Sequence, residues 1–250
     1  MAYNKNTVVK IADGLTSLAL PGAVARTQNG FVYHFEGMPF GMISGYRAKK
    51  DENGNTIYNR DSGLSIQSAF TSLGRGVPPL TLGFTNTFRY KSLSFGFLLD
   101  GKFGSKMYVS TNAYATNYGL HKQTVENNVR ETGVTVTGVD TEGEPFTKNI
   151  SAQSYYQGIA FSLTDQFVSD AGFVKLRQLT LGYSLPQNII SKTPFQSASL
   201  SFVARNLLLI YSQVENVDPE SNYSNSNAQG LENFGVPPTR SFGFNLLVRF

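Results

Sequence analysis

The sequence predicts an all-β protein, an antiparallel transmembrane β-barrel segment with long extracellular loops and short periplasmic turns. Three observations carry this. Apolar and polar residues alternate along stretches of about ten residues, the period of a strand with one greasy face. Charged residues make up only 15% of the 250, while 19 Phe and 13 Tyr raise the aromatic share to 13%; soluble domains usually carry about a quarter charged residues. The connections between the alternating stretches are by turns long and short, as in an outer-membrane barrel. Mean hydropathy is -0.19, and no apolar run approaches the roughly 18 residues of a spanning helix.

The elements follow in order. Phe31 to Phe35 and Met42 to Tyr46 are compatible with two short paired strands. From Leu80 to Tyr90 the even positions read Leu80, Leu82, Phe84, Asn86, Phe88 and Tyr90, against Thr81, Gly83, Thr85, Thr87 and Arg89. After Lys91 and Ser92 the alternation restarts with Leu93, Phe95, Phe97 and Leu99 opposite Ser94, Gly96 and Asp100, Leu98 being the exception, which makes a tight hairpin. Gly101 to Gly172 reads as mostly loop. In Phe173 to Tyr183, Leu179, Leu181 and Tyr183 oppose Gln178, Thr180 and Gly182, but Lys175 and Arg177 share the apolar parity. A β-bulge, or a segment beyond the apolar slab, is therefore required. Leu185 to Thr193 is the best place for a short helical turn, and no longer helical period appears.

Ser199 to Ile210 is a further strand, and after a long connection (213–239) Phe242, Phe244, Leu246, Val248 and Phe250 alternate with Ser241, Gly243, Asn245, Leu247 and Arg249. In lipid every backbone amide must be paired, which antiparallel strands closing on themselves achieve. Phe244, Leu246 and Val248 are then expected to face lipid, Ser241, Gly243 and Asn245 a wet lumen, and Tyr90, Tyr183 and Phe250 to sit in aromatic girdles. The alternation of loops puts the carboxyl end on the periplasmic side. About six to eight strands can be found.

The same patterns exclude several functions. Without cysteine there is no disulfide, thiolate site or Cys nucleophile. Twenty-one basic against 17 acidic residues give +4, with no basic stripe, so no nucleic-acid partner is expected. Met1 to Thr7 lacks the features of a signal peptide, so either the protein is not exported or its native start lies upstream. His34 and His121 have no second ligand at metal spacing. The carboxylates of Asp140-Thr141-Glu142-Gly143-Glu144 suit either Ca²⁺ or a solvated turn. No nucleophile elbow, P-loop or dinucleotide fingerprint is present; neither enzyme activity nor a cofactor is expected. Arg205 should point into the lumen and need a carboxylate, with Asp100 the candidate. Tyr155, Tyr156, Tyr211, Tyr223 and Phe234 lie in Asn- and Ser-rich stretches, where rings stack on sugars or peptides or simply pack loops. Phe242, Phe244, Leu246, Val248 and Phe250 also suit recognition by the barrel-assembly machinery, through pairing of an exposed strand.

Several segments also resemble a known family. Phe173-Val174-Lys175-Leu176-Arg177-Gln178-Leu179-Thr180-Leu181-Gly182-Tyr183-Ser184-Leu185-Pro186 is similar to the "F-x-K-L-R-x-L-x-L-G-Y-x-L-P" of SusC/RagA-like TonB-dependent transporters. Ala204-Arg205-Asn206-Leu207, Asp218-Pro219-Glu220 and Pro237-Pro238-Thr239-Arg240-Ser241-Phe242 resemble its later motifs, and Gly83 to Tyr90 and Asp100-Gly101-Lys102-Phe103-Gly104 its earlier ones. The resemblance covers roughly Leu80 to Phe250. It implies the C-terminal strands of a 22-stranded barrel in the outer membrane of a Bacteroidota-type cell, importing glycan or peptide fragments. A SusD-like surface lipoprotein and TonB would be its partners. Residues 1–250 would then be one portion of that barrel, with plug domain, TonB box and signal peptide outside it, and in isolation a curved open sheet with exposed edges. Two other readings stay open: a stand-alone small barrel with a structural or adhesive role, and a soluble carbohydrate-binding β-sandwich.

Overall fold

The computed structural model describes residues 1–20, 29–222 and 228–250. The first half contains β1 (Ala2–Tyr3), β2 (Ser17–Ala19), β3 (Phe31–Phe35), β4 (Met42–Gly45), β5 (Thr71–Arg75), β6 (Leu80–Tyr90), β7 (Leu93–Phe103) and β8 (Lys106–Val109). Then come helices α1 (Ser110–Asn117) and α2 (Val129–Thr132), the hairpin β9 (Val134–Val139) and β10 (Pro145–Ile150), helix α3 (Ala152–Ala160) and β11 (Val168–Asp170). The remainder is β12 (Phe173–Ser184), α4 (Gln187–Ile190), β13 (Ser197–Ser212), β14 (Leu231–Glu232) and β15 (Ser241–Arg249).

The principal sheet has the order β1-β6-β7-β12-β13-β15, antiparallel throughout. The five long strands are those the alternation predicts. Lys91, in the two-residue turn between β6 and β7, takes φ 52°, the left-handed conformation such tight hairpins demand. Residues opposite one another in an antiparallel pair share a face, so the register reads as rows. Phe88, Phe95, Leu181, Phe202 and Phe244 form one row, and Tyr90, Leu93, Tyr183, Leu200 and Leu246 the next. The opposite face carries Thr87, Gly96, Thr180, Val203 and Gly243, then Arg89, Ser94, Gly182, Ser201 and Asn245. One side is a band of Phe, Leu and Tyr; the other is hydroxyl, amide and glycine with few large residues.

Nothing among the described residues covers that band: Phe244 is 73% exposed and Phe88 55%. A soluble sandwich would bury this face against a second sheet, so that alternative does not describe this chain. Nor is it a closed small barrel, because β1 and β15 are the outer strands and do not pair with each other. The sheet is open, as the sequence predicts for the segment alone. A contiguous apolar face of this extent marks a surface that meets something other than water.

The short turn at Lys91 and the link carrying α4 lie at one end, where Ser184 N donates to Ser92 O at 2.8 Å. The chain ends there too, with the Phe195 and Phe250 rings 5.2 Å apart. The long connections leave from the other end. Here the expectation of mere loop for Gly101 to Gly172 is wrong. That stretch holds α1 to α3, the β9–β10 hairpin and strands β8 and β11, a folded layer with its own core of Tyr108, Ala113, Ala160, Phe167 and Leu231, joined by Val32 and Ile43 of the β2–β5 sheet. The pairing of Phe31–Phe35 with Met42–Gly45 and the turn of helix after Leu185 are as read from the sequence.

Candidate functional site

The most elaborate polar arrangement sits where the sheet meets the loop layer, and it begins with the parity conflict in β12. Leu176 opposes Leu99 while Gln178 opposes Leu98, leaving Arg177 as the extra residue of a bulge. The bulge puts Lys175 and Arg177 on the same face as Asp100, away from the apolar band. On the other side of β12, Asn206 takes φ 51° where β13 has its own register shift.

Six charges gather there. Arg177 donates to Asp100 Oδ2 from Nε at 2.8 Å and from Nη2 at 2.7 Å, and pairs with Glu220 at 2.5 Å. Lys175 Nζ donates to both Asp218 oxygens at 2.8 Å and to Glu220 Oε2 at 2.9 Å, while Lys102 approaches Glu220 at 3.4 Å. Three cations thus meet three carboxylates, stacked around the buried Phe173 ring, with Lys175 Nζ 5.4 Å from its centroid. Lys175 is only 5% exposed at its side chain, a burial tolerated because all its partners are present. The loop supplies its acids in a preset form: Glu220 N donates to Asp218 Oδ1 at 2.9 Å and Ser221 N to Asp218 O at 2.9 Å. The Lys-Leu-Arg and Asp-Pro-Glu motifs, 43 residues apart at Lys175 and Asp218, are therefore one spatial unit that clamps the loop to the wall.

Asp100 accordingly has an arginine partner, but it is Arg177 and not Arg205. Arg205 lies opposite Gln178 and Ser241, is exposed, and forms no ion pair among the described residues. The cause is register: with the bulge, the guanidinium nearest Asp100 belongs to β12.

Burial alone would raise the Glu220 carboxyl, but hydrogen bonds and charge from Arg177 and Lys175 outweigh it and hold it at about 2, down from 4.5. A depressed carboxylate stabilises the fold fully above its unfolded value and loses that contribution as pH falls through the folded one. Between pH 4.5 and about 2 the clamp should therefore release, a loss of about 3 kcal/mol. The check is hydrogen exchange of the Glu220 and Ser221 amides, whose protection relative to the intrinsic rate at each pH should fall in that window.

Among the described residues, three cavities bear on this architecture. One of about 260 Å³ adjoins the clamp, lined by Lys102, Phe173, Pro219, Glu220 and Asn222 among others. A second, also about 260 Å³, lies on the polar face between Thr85, Thr87, Ser94, Gln178 and Thr180. The largest, about 480 Å³, is in the loop layer, lined by Asn117, Tyr118, Arg130, Gln153, Tyr156 and Gln157 among others.

The predicted ligand-stacking aromatics do not converge. Tyr156 reaches the largest cavity and donates its hydroxyl to Gln123 O at 2.6 Å. Neighbouring Tyr155, ring centroid 5.2 Å away, packs instead against the core of Val136, Phe146 and Ile150, and burial pushes its phenol up. Tyr211 stacks on Phe103 at 6.5 Å on the sheet, and Phe234 meets Tyr114 at 5.1 Å. Tyr223 lies outside the described residues. Tyr118 and Arg130 line the same cavity as Tyr156, and no motif in the sequence marks them.

Asp140 proves to organise a turn. Its Oδ1 accepts from Glu142 N at 2.9 Å and Glu144 N at 3.0 Å, and Arg60 Nε donates to Oδ2 at 2.8 Å. The Arg60 bond leads the interactions that hold this carboxyl low. Both histidines act as acceptors for backbone amides, His34 from Gly41 and His121 from Gln123. No cluster of metal-ligating side chains occurs among the described residues.

No protein-family model matches the chain. It is 26% identical to TonB-dependent receptor P3 of Formosa agariphila, over 99% of this chain and 26% of that protein. It is 24% identical to TonB-dependent receptor SusC of Bacteroides thetaiotaomicron, over 100% of this chain and 24% of that one. Among solved structures it superposes on the RagAB peptide importer in its open-open state with a TM-score of 0.65 at 18% identity, covering 99% of this chain and 26% of that chain. The closed-closed state gives 0.64 at 17%, covering 98% and 26%. The chain thus spans about a quarter of the length of the curated relatives it matches. In sequence and in fold it resembles a SusC/RagA-like TonB-dependent transporter, as its motifs imply.

Proposed function

We propose that residues 1–250 form the C-terminal part of the barrel wall of an outer-membrane TonB-dependent importer in a Bacteroidota-type cell. The observation that carries the reading is the five-strand rows of Phe, Leu and Tyr left bare on one face of an open antiparallel sheet, backed by a polar face. Such a sheet is satisfied by lipid on one side, water on the other and further strands at its edges. Import is the work of the whole barrel: glycan or peptide fragments enter, a SusD-like lipoprotein presents them, and TonB supplies energy through a region outside these residues. This part contributes wall, loop layer and clamp, with no catalytic role. Tyr156, beside the loop-layer cavity, is the aromatic best placed to touch the solute.

The test is to express the full-length protein with an affinity tag and fractionate the cells. The reading predicts a heat-modifiable band in the outer membrane and a surface lipoprotein that co-purifies; a soluble protein stable without detergent would overturn it. Phe250, 78% exposed at the end of the bare edge strand β15, should serve assembly. Deleting it is expected to cut the inserted, heat-modifiable fraction sharply, whereas an unchanged band would show that these residues only face lipid.

A further inference from the structure

The bulge row divides the charges of the wall. On the loop side, three cations and three carboxylates neutralise one another. On the short-turn side, from Thr85 to Leu98, Gln178 to Arg205 and Ser241 to Phe250, the side chains include Arg89, Lys91, Lys192, Arg205 and Arg249 and no Asp or Glu. None of the five forms an ion pair among the described residues. Arg89, Arg205 and Arg249 fall on the polar face by parity. Lys91 and Lys192 do not: they occupy the two turns, beside the exposed aromatic rim.

Lys91 Nζ lies 5.4 Å from the Tyr90 ring centroid, and Tyr90 is the apolar-face residue that ends β6. Lys192 follows α4, its amide donating to Ile189 O at 3.1 Å, with exposed Ile189 on one side and the Phe195–Phe250 ring pair on the other. Aromatic belts sit at the level of lipid headgroups. An ammonium on a flexible stem beside such a belt reaches the phosphate layer with its carbons still against apolar surface. Neither turn holds a carboxylate side chain, the one carboxylate at this end being the terminal group of Phe250. Neither ammonium forms an ion pair among the described residues, which leaves each open to a counter-charge from the lipid.

We propose that Lys91 and Lys192, each in its own turn, take the phosphate of an anionic phospholipid in the leaflet at the short-turn end. The site rests on the membrane reading above and adds to it a preference among lipids. A lysine at an anionic surface favours it by roughly fivefold.

The experiment embeds the full-length protein in nanodiscs of phosphatidylethanolamine and phosphatidylglycerol at three to one and measures the retained lipid by native mass spectrometry. The expected result is a phosphatidylglycerol-to-phosphatidylethanolamine ratio in the retained lipid roughly fivefold above the bulk ratio, falling as salt is raised, and back at the bulk ratio in the Lys91→Gln, Lys192→Gln double variant while the heat-modifiable band persists. A wild-type protein that retains the two lipids in bulk proportion overturns the site whatever the variant does, as does enrichment that survives the double substitution. Failure of the wild type to enter lipid at all would instead sink the membrane reading.

Discussion

Replacing Lys175 with Met in the full-length protein is expected to lower its stability by about 3 to 5 kcal/mol, the usual consequence of removing one partner from a buried ion cluster. Among the described residues the ammonium is the only cation on Asp218 and one of three on Glu220. Without it Asp218 has no ion-pair partner among the described residues, and Arg177 and Lys102 remain to offset Glu220 and Asp100. Urea titration of the heat-modifiable band should show the midpoint shifted down. Glu220→Gln should cost less, because Arg177 keeps Asp100 and Lys175 keeps Asp218. Equal midpoints for Lys175→Met and the parent would mean that the loop is held by something other than the clamp.

The second large effect is a contrast between neighbours on β15. Phe244→Arg puts a guanidinium into the row of Phe88, Phe95, Leu181 and Phe202, where a charge facing the lipid midplane costs about 2 to 4 kcal/mol. Asn245→Arg, one residue on, joins Arg89, Ser94, Gly182 and Ser201 on the wet face and should be close to neutral. Folding yield into lipid vesicles distinguishes the two. Equal losses for both would remove the basis for assigning the faces.

The strands were legible because a sheet with lipid on one side and water on the other imposes period two, and β6, β7 and β15 show it with one exception each, Asn86, Leu98 and Leu247. The irregularity in β12 was legible as well, since two cations on an apolar parity require a bulge or a segment beyond the apolar slab, and the register against β7 shows the bulge. What lies beyond single strands was not. The partner of Asp100 depends on how β12 sits against β7, which alternation within one strand does not fix. The acids that satisfy Lys175 come from a loop 43 to 45 positions away. The loop layer was hidden for a similar reason. Helix α1 has no side-chain cap of its own; the buried Glu232, 121 positions on, accepts from Thr111 N at 3.1 Å and Thr111 Oγ1 at 2.7 Å. A helix whose first turn is satisfied by tertiary contact leaves no local start signal. Helix α3 did have one, Ser151 accepting from Ser154 N at 3.1 Å; it puts Tyr156, which the sequence singles out, on a helix beside the loop-layer cavity rather than in a loop.

The most direct measurement exploits the absence of cysteine from these 250 residues. Single cysteines placed at each position from Ser241 to Arg249 in the full-length protein, spin-labelled in vesicles, report whether lipid-soluble oxygen or a water-soluble nickel chelate relaxes each label. The account predicts a period of two, with oxygen dominating at positions 242, 244, 246 and 248 and the chelate at 241, 243 and 245. Chelate access at every position, or oxygen dominance at Ser241, Gly243 and Asn245, would contradict it.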